Sequence, residues 1–289
     1  MLLHDEGKRV AMATGRGEMA LKDILVHVDH TPPSGLRLEF ALELARRHGA
    51  RLAVLYARLI PGQWVGEAPE SLGEEQLATL KSTSETQAAA AGVLMEWHEA
   101  LVPGSARVLL QEIRTRGRTA DLLIAGQTDP AWGDEEVPAD LPEQLILGLG
   151  RPVIVVPYAW RFSGSVGRVL VAWDGSREAA RAVNDALPLL SAADWVQLLA
   201  VNPAEQGQPP LSCRELALHL TRHGIHPECS ELEAHDMEVG DLLLSRAADE
   251  AVDLLVTGGY GHARFAELML GGVTRQLLTE MTLPVLMSH

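Results

Sequence analysis

Five glycines in the last part of the chain could hold an anion through bare backbone. They are Gly258, Gly259, Gly261, Gly271 and Gly272, within the segment TGGYGHARFAELMLGGVTRQLL. Glycine allows a sharp turn at the end of a strand and allows a ligand to approach the main chain. The second pair precedes a helical pattern, and free N–H groups at a helix start bind phosphate. The spacing therefore predicts a polyphosphate site that needs no lysine, although these glycines could serve only turns and helix packing.

Candidate catalytic groups near the glycines are few. Asp174, Gly175 and Ser176 form a D-G-S sequence, but the G-x-S-x-G elbow of serine hydrolases is missing. We expect Ser176 to cap the helix that follows. A slow ATPase would need a group that positions water or a metal, and only Asp174 and His262 are near enough. Because His262 could equally cap the next helix, we predict no catalytic residue.

A group of metal-binding residue types lies upstream of the glycines. His219 and His223 are four residues apart in a helical pattern, with Cys213 and Cys229 nearby. This set could bind zinc, but neither CxxC nor HExxH spacing is present. We interpret it as scattered surface histidines and two partly buried cysteines, and we predict no metal site.

The elements that would position these residues occur twice in the chain. An apolar strand ends at Asp29 and a similar one at Asp174, each followed by a turn, an amphipathic helix and a second strand. Later, ADLLIAGQ corresponds to VDLLVTGG and RPVIVVP to LPVLMSH. Continuously apolar strands that alternate with helices predict a parallel sheet covered on both faces. The fold class is therefore α/β, with two tandem doubly wound parallel-sheet domains at 21–158 and 167–289, joined by a linker at 159–166.

Composition and charge limit the partners. The 289 residues carry a formal net charge of −15, which would repel the phosphates of a nucleic acid. No apolar run is long enough to span a bilayer, so we expect no membrane partner. Residues 1–20 lack the apolar centre of a secretory signal and are interpreted as a disordered leader. Two cysteines are too few for a disulfide scaffold, and this favours a cytoplasmic location.

The first copy differs from the second in length. It carries extra residues before its fourth strand, and we assign 74–101 to a long helical insert. The segment 111–123 leaves no room for a third helix, so we expect that helix to be missing.

The first copy is also the poorer candidate for a site. It keeps Asp29, but no G-x2-G follows its fourth strand. Acidic side chains stand where a phosphate would approach, and like charge disfavours that approach. These acidic residues are Asp129, Asp134, Glu135 and Glu136. The first copy is therefore predicted to be a degenerate partner domain that has lost its pocket.

At this point the sequence resembles the universal stress protein family, in its tandem, two-domain form. The resemblance covers roughly 20–289, and the family's motif G-x2-G-x9-G-(S/T) finds its glycines in Gly258, Gly261 and Gly271. It implies an adenine nucleotide alpha hydrolase-like fold. It also implies ATP or a related adenine nucleotide as the ligand, with Mg²⁺ only if ATP is bound.

The resemblance also implies roles for individual residues of the second copy. Asp174 would lie by the nucleoside, and the backbone of Val201 would meet adenine. The phosphate contacts would fall on Gly261, Gly271, Gly272 and Val273. One position departs from the motif, because Gly272 stands where the family has serine or threonine. The missing hydroxyl could weaken ATP binding, since a hydrogen bond to a charged group is worth about 1.5–3 kcal/mol.

The resemblance implies a cytoplasmic stress-response regulator that binds an adenine nucleotide in its second domain. A ligand-free interaction scaffold and a slow ATPase remain open as alternatives. The last strands, at 152–156 and 284–288, are short and apolar and are predicted to be edge strands buried against another copy. We therefore expect the two domains to pack about a pseudo-twofold axis. Whether two chains also form a homodimer stays open.

Overall fold

The computed structural model describes most of the chain in six stretches. These are residues 20–29, 31–60, 74–129, 137–201, 213–261 and 272–289. Among the predicted features, the leader at 1–19, His262, Gly271 and the acidic residues at 134–136 lie outside the described residues.

The first domain contains five strands and four helices in alternation. They are β1 (Asp23–Val28), α1 (Pro33–His48), β2 (Arg51–Ile60), α2 (Glu74–Ala91), β3 (Met95–Pro103), α3 (Ala106–Gly117), β4 (Leu122–Gly126), α4 (Leu141–Gly148) and β5 (Val153–Val156).

The second domain repeats this order. Its elements are β6 (Arg168–Ala172), α5 (Arg177–Ala192), β7 (Trp195–Val201), α6 (Cys213–Arg222), β8 (Glu228–Leu232), α7 (Val239–Asp249), β9 (Leu254–Gly258), α8 (Gly272–Glu280) and β10 (Val285–Ser288).

The strands form one ten-stranded sheet in the order β3-β2-β1-β4-β5-β10-β9-β6-β7-β8. Within each domain every pairing is parallel, which confirms the predicted doubly wound class. The domains meet where β5 pairs antiparallel with β10, with Leu286 opposite Ile154. This confirms that the two last strands are buried against each other, and the contact removes two edges that would otherwise be free to pair with other chains.

Two apolar layers hold the domains together, one on each face of the sheet. One layer joins side chains such as Phe40 and Leu38 of α1 to Val183 of α5 and Leu220 of α6. The opposite layer joins side chains of α3 and α4 to those of α7 and α8. The central strands of both domains, such as β1, β5 and β10, are buried on both faces, as their continuous apolar runs predicted.

The linker region also packs against the first domain. Trp160 and Phe162 lie edge-on to the ring of Phe40, with ring centroids 5.7 and 5.8 Å away. Edge-to-face packing at this separation is favourable beyond the area it buries. Arg47 of α1 reaches across the domain boundary, where its Nη1 donates a hydrogen bond to the Val166 carbonyl at 2.7 Å.

Two sequence predictions about the first domain are wrong. The segment 74–101 is not one helical insert, because α2 ends at Ala91 and Gly92 follows with φ +68°, after which β3 begins. The third helix is present as α3, whose buried stripe is Leu109, Ile113 and Gly117. The extra length of the first copy therefore lies between β2 and β3, where α2 is longer than its counterpart α6.

In the described part of the chain, no helix is both long and apolar enough to cross a membrane.

Candidate functional site

The predicted site residues that the structure describes gather at one edge of the sheet in the second domain. Asp174 follows β6, Val201 ends β7 and Gly258 ends β9. Because β6 lies between β9 and β7, the carboxyl ends of these parallel strands are neighbours. The connections from β6 and β9 leave in opposite directions, so this edge is the topological switch point at which doubly wound sheets bind ligands.

The turn after β6 is held by its own side chains. The Oδ1 atom of Asp174 accepts a hydrogen bond from the Ser176 N–H at 2.9 Å, and Gly175 takes a φ of +73°. Ser176 Oγ accepts from the Ala179 N–H at 3.1 Å, which confirms it as the N-cap of α5. Ser176 therefore stabilises the start of α5, as expected.

Gly258 is required by packing at the end of β9. A Cβ atom there would lie 2.6 Å from the backbone nitrogen of Ala179 and 2.7 Å from the carbonyl carbon of Glu178. Real Cβ atoms do not approach backbone so closely, so only glycine lets β9 meet the first turn of α5. Its contribution to a site would be this close approach, which brings the turn after β9 beside the turn after β6.

Gly261 faces a carboxylate that sequence reasoning missed. A Cβ atom at Gly261 would lie 3.1 Å from Oε2 of Glu178 and 3.5 Å from Oγ of Ser176. The Glu178 side chain is only 3% exposed, and its other oxygen pairs with the exposed guanidinium of Arg177. Glu178 is in the first turn of α5, where the helix dipole favours a negative charge. Counting forward from the predicted cap at Ser176 would have placed it there.

The turn after β9 is tied to the elements around it. The Tyr260 N–H donates to Oγ1 of Thr274 in α8 at 3.0 Å, and the Gly259 N–H donates to the Ser288 carbonyl at 2.9 Å. Tyr260 has a φ of +59°, a left-handed conformation that is strained for a bulky residue. Burial raises the pKa of the Tyr260 hydroxyl. These contacts hold Tyr260 in its strained conformation, and such strain is common at functional sites.

The start of α8 leaves room for a side chain that the sequence does not supply. A Cβ atom at Gly272, the first residue of α8, would meet nothing within 4 Å. The next residue, Val273, is half-buried and packs against the apolar layer. Steric demand therefore does not explain the glycine at position 272, and a hydroxyl-bearing residue would fit the backbone there.

The corresponding edge of the first domain is filled by a buried ion pair. Nη2 of Arg37 donates to Oδ2 of Asp29 at 2.8 Å, and the two side chains are about 5% exposed. The same nitrogen donates to Ser34 Oγ at 2.6 Å, and that hydroxyl donates to the other Asp29 oxygen at 2.9 Å. Burial alone would raise the pKa of Asp29, but Arg37, His27 and the hydrogen bonds outweigh it and hold this pKa well below its ordinary range.

Arg37 also occupies the space beside the fourth strand of the first domain. A Cβ atom at Gly126, the last residue of β4, would lie 2.7 Å from Cζ of Arg37. Gly126 is the counterpart of Gly258. Arg37 follows Asp29 by the same number of residues as Ala182 follows Asp174, so the second domain has an alanine at the position of this arginine. An apolar cavity of about 200 Å³ remains on the other side of Asp29, between α1 and α2, lined in part by Tyr56 and Leu77.

The second domain has a comparable cavity away from the glycines. It has a volume of about 230 Å³ and lies between α5 and α6, lined by Trp173, Val183, Leu216 and His219 among others. The rings of His219 and His223 are in contact, with centroids 4.8 Å apart. Within the described stretches, no group of three or more His, Cys, Asp or Glu residues is arranged to hold a metal ion.

The fold defines a class of protein: a tandem of two doubly wound α/β domains. The chain belongs to the universal stress protein family, whose family model matches residues 20–157 and again 165–289.

Individual relatives agree with the tandem arrangement. The universal stress protein Slr1230 of Synechocystis sp. strain PCC 6803 is 25% identical over 296 residues, which cover 92% of this chain and 99% of that protein. The crystal structure of a universal stress protein from Archaeoglobus fulgidus matches with a TM-score of 0.67 at 15% identity, covering 93% of this chain and 97% of that one. A functionally unknown protein from Pseudomonas aeruginosa PAO1 matches at 0.60 and 14% identity, with 93% of each chain covered.

Proposed function

We propose that the second domain binds an adenine nucleotide, with ATP as the first candidate, and that the protein acts as a cytoplasmic stress-response regulator through it. The observation that carries the proposal is the meeting of the turns after β6 and β9 at the switch point of the sheet. Asp174 would accept hydrogen bonds from the ribose, and the backbone of Val201 would border adenine. Gly261, Gly271, Gly272 and Val273 would offer N–H groups to the phosphates.

A magnesium ion would accompany ATP in this proposal. Mg²⁺ prefers oxygen ligands and usually combines one or two carboxylates with phosphate oxygens. Glu178 faces Gly261 directly, and Asp174 lies in the neighbouring turn after β6. The ion would offset the repulsion between Glu178 and a polyphosphate.

Binding rather than catalysis is proposed, because Ser176 is engaged as a helix cap. A ligand-free scaffold is the second candidate. It is favoured by Gly272 in place of a hydroxyl residue and by the buried Glu178 carboxylate beside the glycine turn.

Titration calorimetry with ATP and Mg²⁺ tests the proposal on the full chain. Wild type should bind ATP, and Gly261→Val should abolish binding, because the side chain would enter the space beside Glu178 and Ser176. Gly35→Val in α1 is the matched control, since a Cβ atom there meets nothing within 4 Å and the residue lies in the first domain. Binding that is indifferent to Gly261→Val would refute the site.

A second variant separates a weak site from no site. Gly272→Ser has room for its side chain, and its hydroxyl should tighten ATP by about tenfold or more, the equivalent of at least 1.5 kcal/mol. If neither wild type nor Gly272→Ser binds any adenine nucleotide, the scaffold function stands instead.

A further inference from the structure

The only two cysteines of the sequence are brought together by the fold of the second domain. Cys213 is the first residue of α6 and Cys229 lies in β8, the outermost strand of the sheet. The Cys229 thiol donates a hydrogen bond to the Cys213 carbonyl, with sulfur and oxygen 3.3 Å apart. The Cys213 thiol in turn donates to the Leu198 carbonyl of β7, with sulfur and oxygen 3.6 Å apart.

The sheet register explains why the two cysteines are neighbours. Leu198 of β7 is the register partner of Cys229 in β8, so both side chains lie on the same face of the sheet. That face is covered by α6, and the Cys213 sulfur lies 3.6 Å from the Leu198 carbonyl oxygen. Cys213 therefore packs over β7, and Cys229 lies on the neighbouring strand β8.

The two thiols differ in accessibility. Cys213 is buried, and Cys229 is exposed on its edge strand. Burial, and then the neighbouring Cys229, raise the pKa of Cys213 to about 12. An oxidant from solution therefore meets Cys229 first, while Cys213 waits beside it as a protonated thiol.

We propose that Cys213 and Cys229 form an intramolecular disulfide when the protein meets a peroxide. In the first step the Cys229 thiolate attacks a peroxide oxygen: an S–O bond forms, the O–O bond breaks, and the leaving oxygen departs as water after protonation. In the second step the Cys213 sulfur attacks the Cys229 sulfur: the S–S bond forms, the S–O bond breaks, and hydroxide leaves with the Cys213 proton as water. Two thiols are oxidised by two electrons and one peroxide is reduced to two waters.

The bond would join the start of α6 to the outer strand of the sheet. Conversion of Cys229 to a neutral sulfenic acid removes the negative charge that helps to hold the proton on Cys213, so the first step promotes the second. The site is independent of the nucleotide proposal, because neither cysteine belongs to the edge formed by Asp174 and the glycine turn.

The test treats the folded full-length chain with hydrogen peroxide at neutral pH and measures its intact mass without reductant. Wild type should lose about 2 Da, lose both titratable thiols and regain them with dithiothreitol. Its Tm should rise by about 5 °C, because the bond restricts the unfolded chain. Cys213→Ser and Cys229→Ser should show neither the mass loss nor the rise in Tm. If either variant is less stable than wild type, the Tm of oxidised wild type is compared with that of reduced wild type instead.

Specific outcomes would overturn the disulfide. Addition of oxygen atoms to wild type without loss of two hydrogens would show that the second step does not occur. Disulfide-linked dimers in place of an internally bridged monomer would show that the partner of Cys229 is another chain.

Discussion

Each domain places one charged side chain against its fourth strand or the turn after that strand. The two charges have opposite sign. In the first domain Arg37 lies against Gly126 and is neutralised by Asp29. In the second domain Glu178 lies beside Gly258 and Gly261 and is paired with an exposed arginine. In the first domain the ion pair occupies the space beside Gly126, and in the second domain a negative charge lies where phosphate is proposed to approach.

Glu178→Gln should therefore raise the affinity for ATP measured without divalent cations by about tenfold, since unit charges a few ångströms apart repel by more than 1 kcal/mol near a protein surface. Adenosine, which has no phosphate, should bind both forms equally. Glu39→Gln removes the same charge from an exposed position of α1 and serves as the control. Titration calorimetry in EDTA measures the change, and an unchanged ATP affinity would contradict the proximity of phosphate to Glu178.

The Asp29–Arg37 pair makes a separate prediction about stability. Asp29→Asn leaves the Arg37 charge buried without its counter-charge and should lower the free energy of unfolding at pH 7 by about 3–5 kcal/mol. Because the folded pKa of Asp29 is depressed, its contribution is complete above the unfolded pKa of about 3.9 and is lost as pH falls below that value. The gap between wild type and variant should therefore narrow by about 1 kcal/mol at pH 3.

Urea unfolding at both pH values measures that gap. Asp23→Asn is the control, because Asp23 and Arg51 form a pair in which both side chains are more than a third exposed. Such a pair contributes less than about 1 kcal/mol. Equal losses from the two substitutions would show that burial of Asp29 does not matter.

Among the elements, the central strands could be predicted from sequence and the edge of the first domain could not. The strands β1, β4 and β5 are continuously apolar because both faces are covered, and their counterparts in the second domain repeat the pattern. By contrast, β3 (MEWHEALVP) is an edge strand with polar side chains, and it follows an alanine-rich helix. Helix α3 begins at Ala106, upstream of the segment 111–123 in which a helix was sought.

Part of the candidate site could also be predicted from sequence, and part could not. The turn residues Asp174 and Ser176 follow a strand that is obvious from its apolar run, and their positions were foreseen. Glu178 and Arg37 were missed, because their importance depends on which strand end each helix packs against. That information comes from tertiary contacts across elements far apart in the sequence.

Helix α8 depends on the first domain for its last turn. Gln127, which follows β4, donates from Nε2 to the carbonyl oxygens of Leu278 and Thr279 at 3.0 and 2.9 Å. Carbonyls in the last turn of a helix have no partner within it. The first domain thus satisfies the end of the helix whose start carries the proposed phosphate contacts.

Gln127→Ala should lower the free energy of unfolding by about 1–3 kcal/mol, because it leaves buried carbonyls unsatisfied. Gln127→Glu should cost at least as much, since it places a carboxylate against carbonyl oxygens at the negative end of a helix. Gln111→Ala on the exposed face of α3 is the control. Urea unfolding measures all three variants, and a Gln127→Glu protein as stable as wild type would show that the side-chain amide does not hold α8.

At the scale of the whole molecule, the two domains are related by the antiparallel β5–β10 pair but have diverged in their ligand edges. In the first domain the Asp29–Arg37 pair lies beside Gly126, whereas in the second domain Glu178 lies beside Gly258 and Gly261. The pairing makes the chain resemble a dimer of domains, and whether two chains associate further stays a prediction. This difference between the two ligand edges predicts how many nucleotides one chain binds.

We expect one nucleotide per chain, held by the second domain. Native mass spectrometry at saturating ATP should show one added nucleotide, because Arg37 fills the space beside Gly126 in the first domain. The double variant Asp29→Asn with Arg37→Leu removes both charges of the buried pair together and so avoids an unpaired charge. It should leave the affinity of the second-domain site unchanged, since every proposed contact to the ligand comes from the second domain. Two nucleotides on wild type, or a weaker affinity in the double variant, would place a ligand in the first domain and refute the asymmetry.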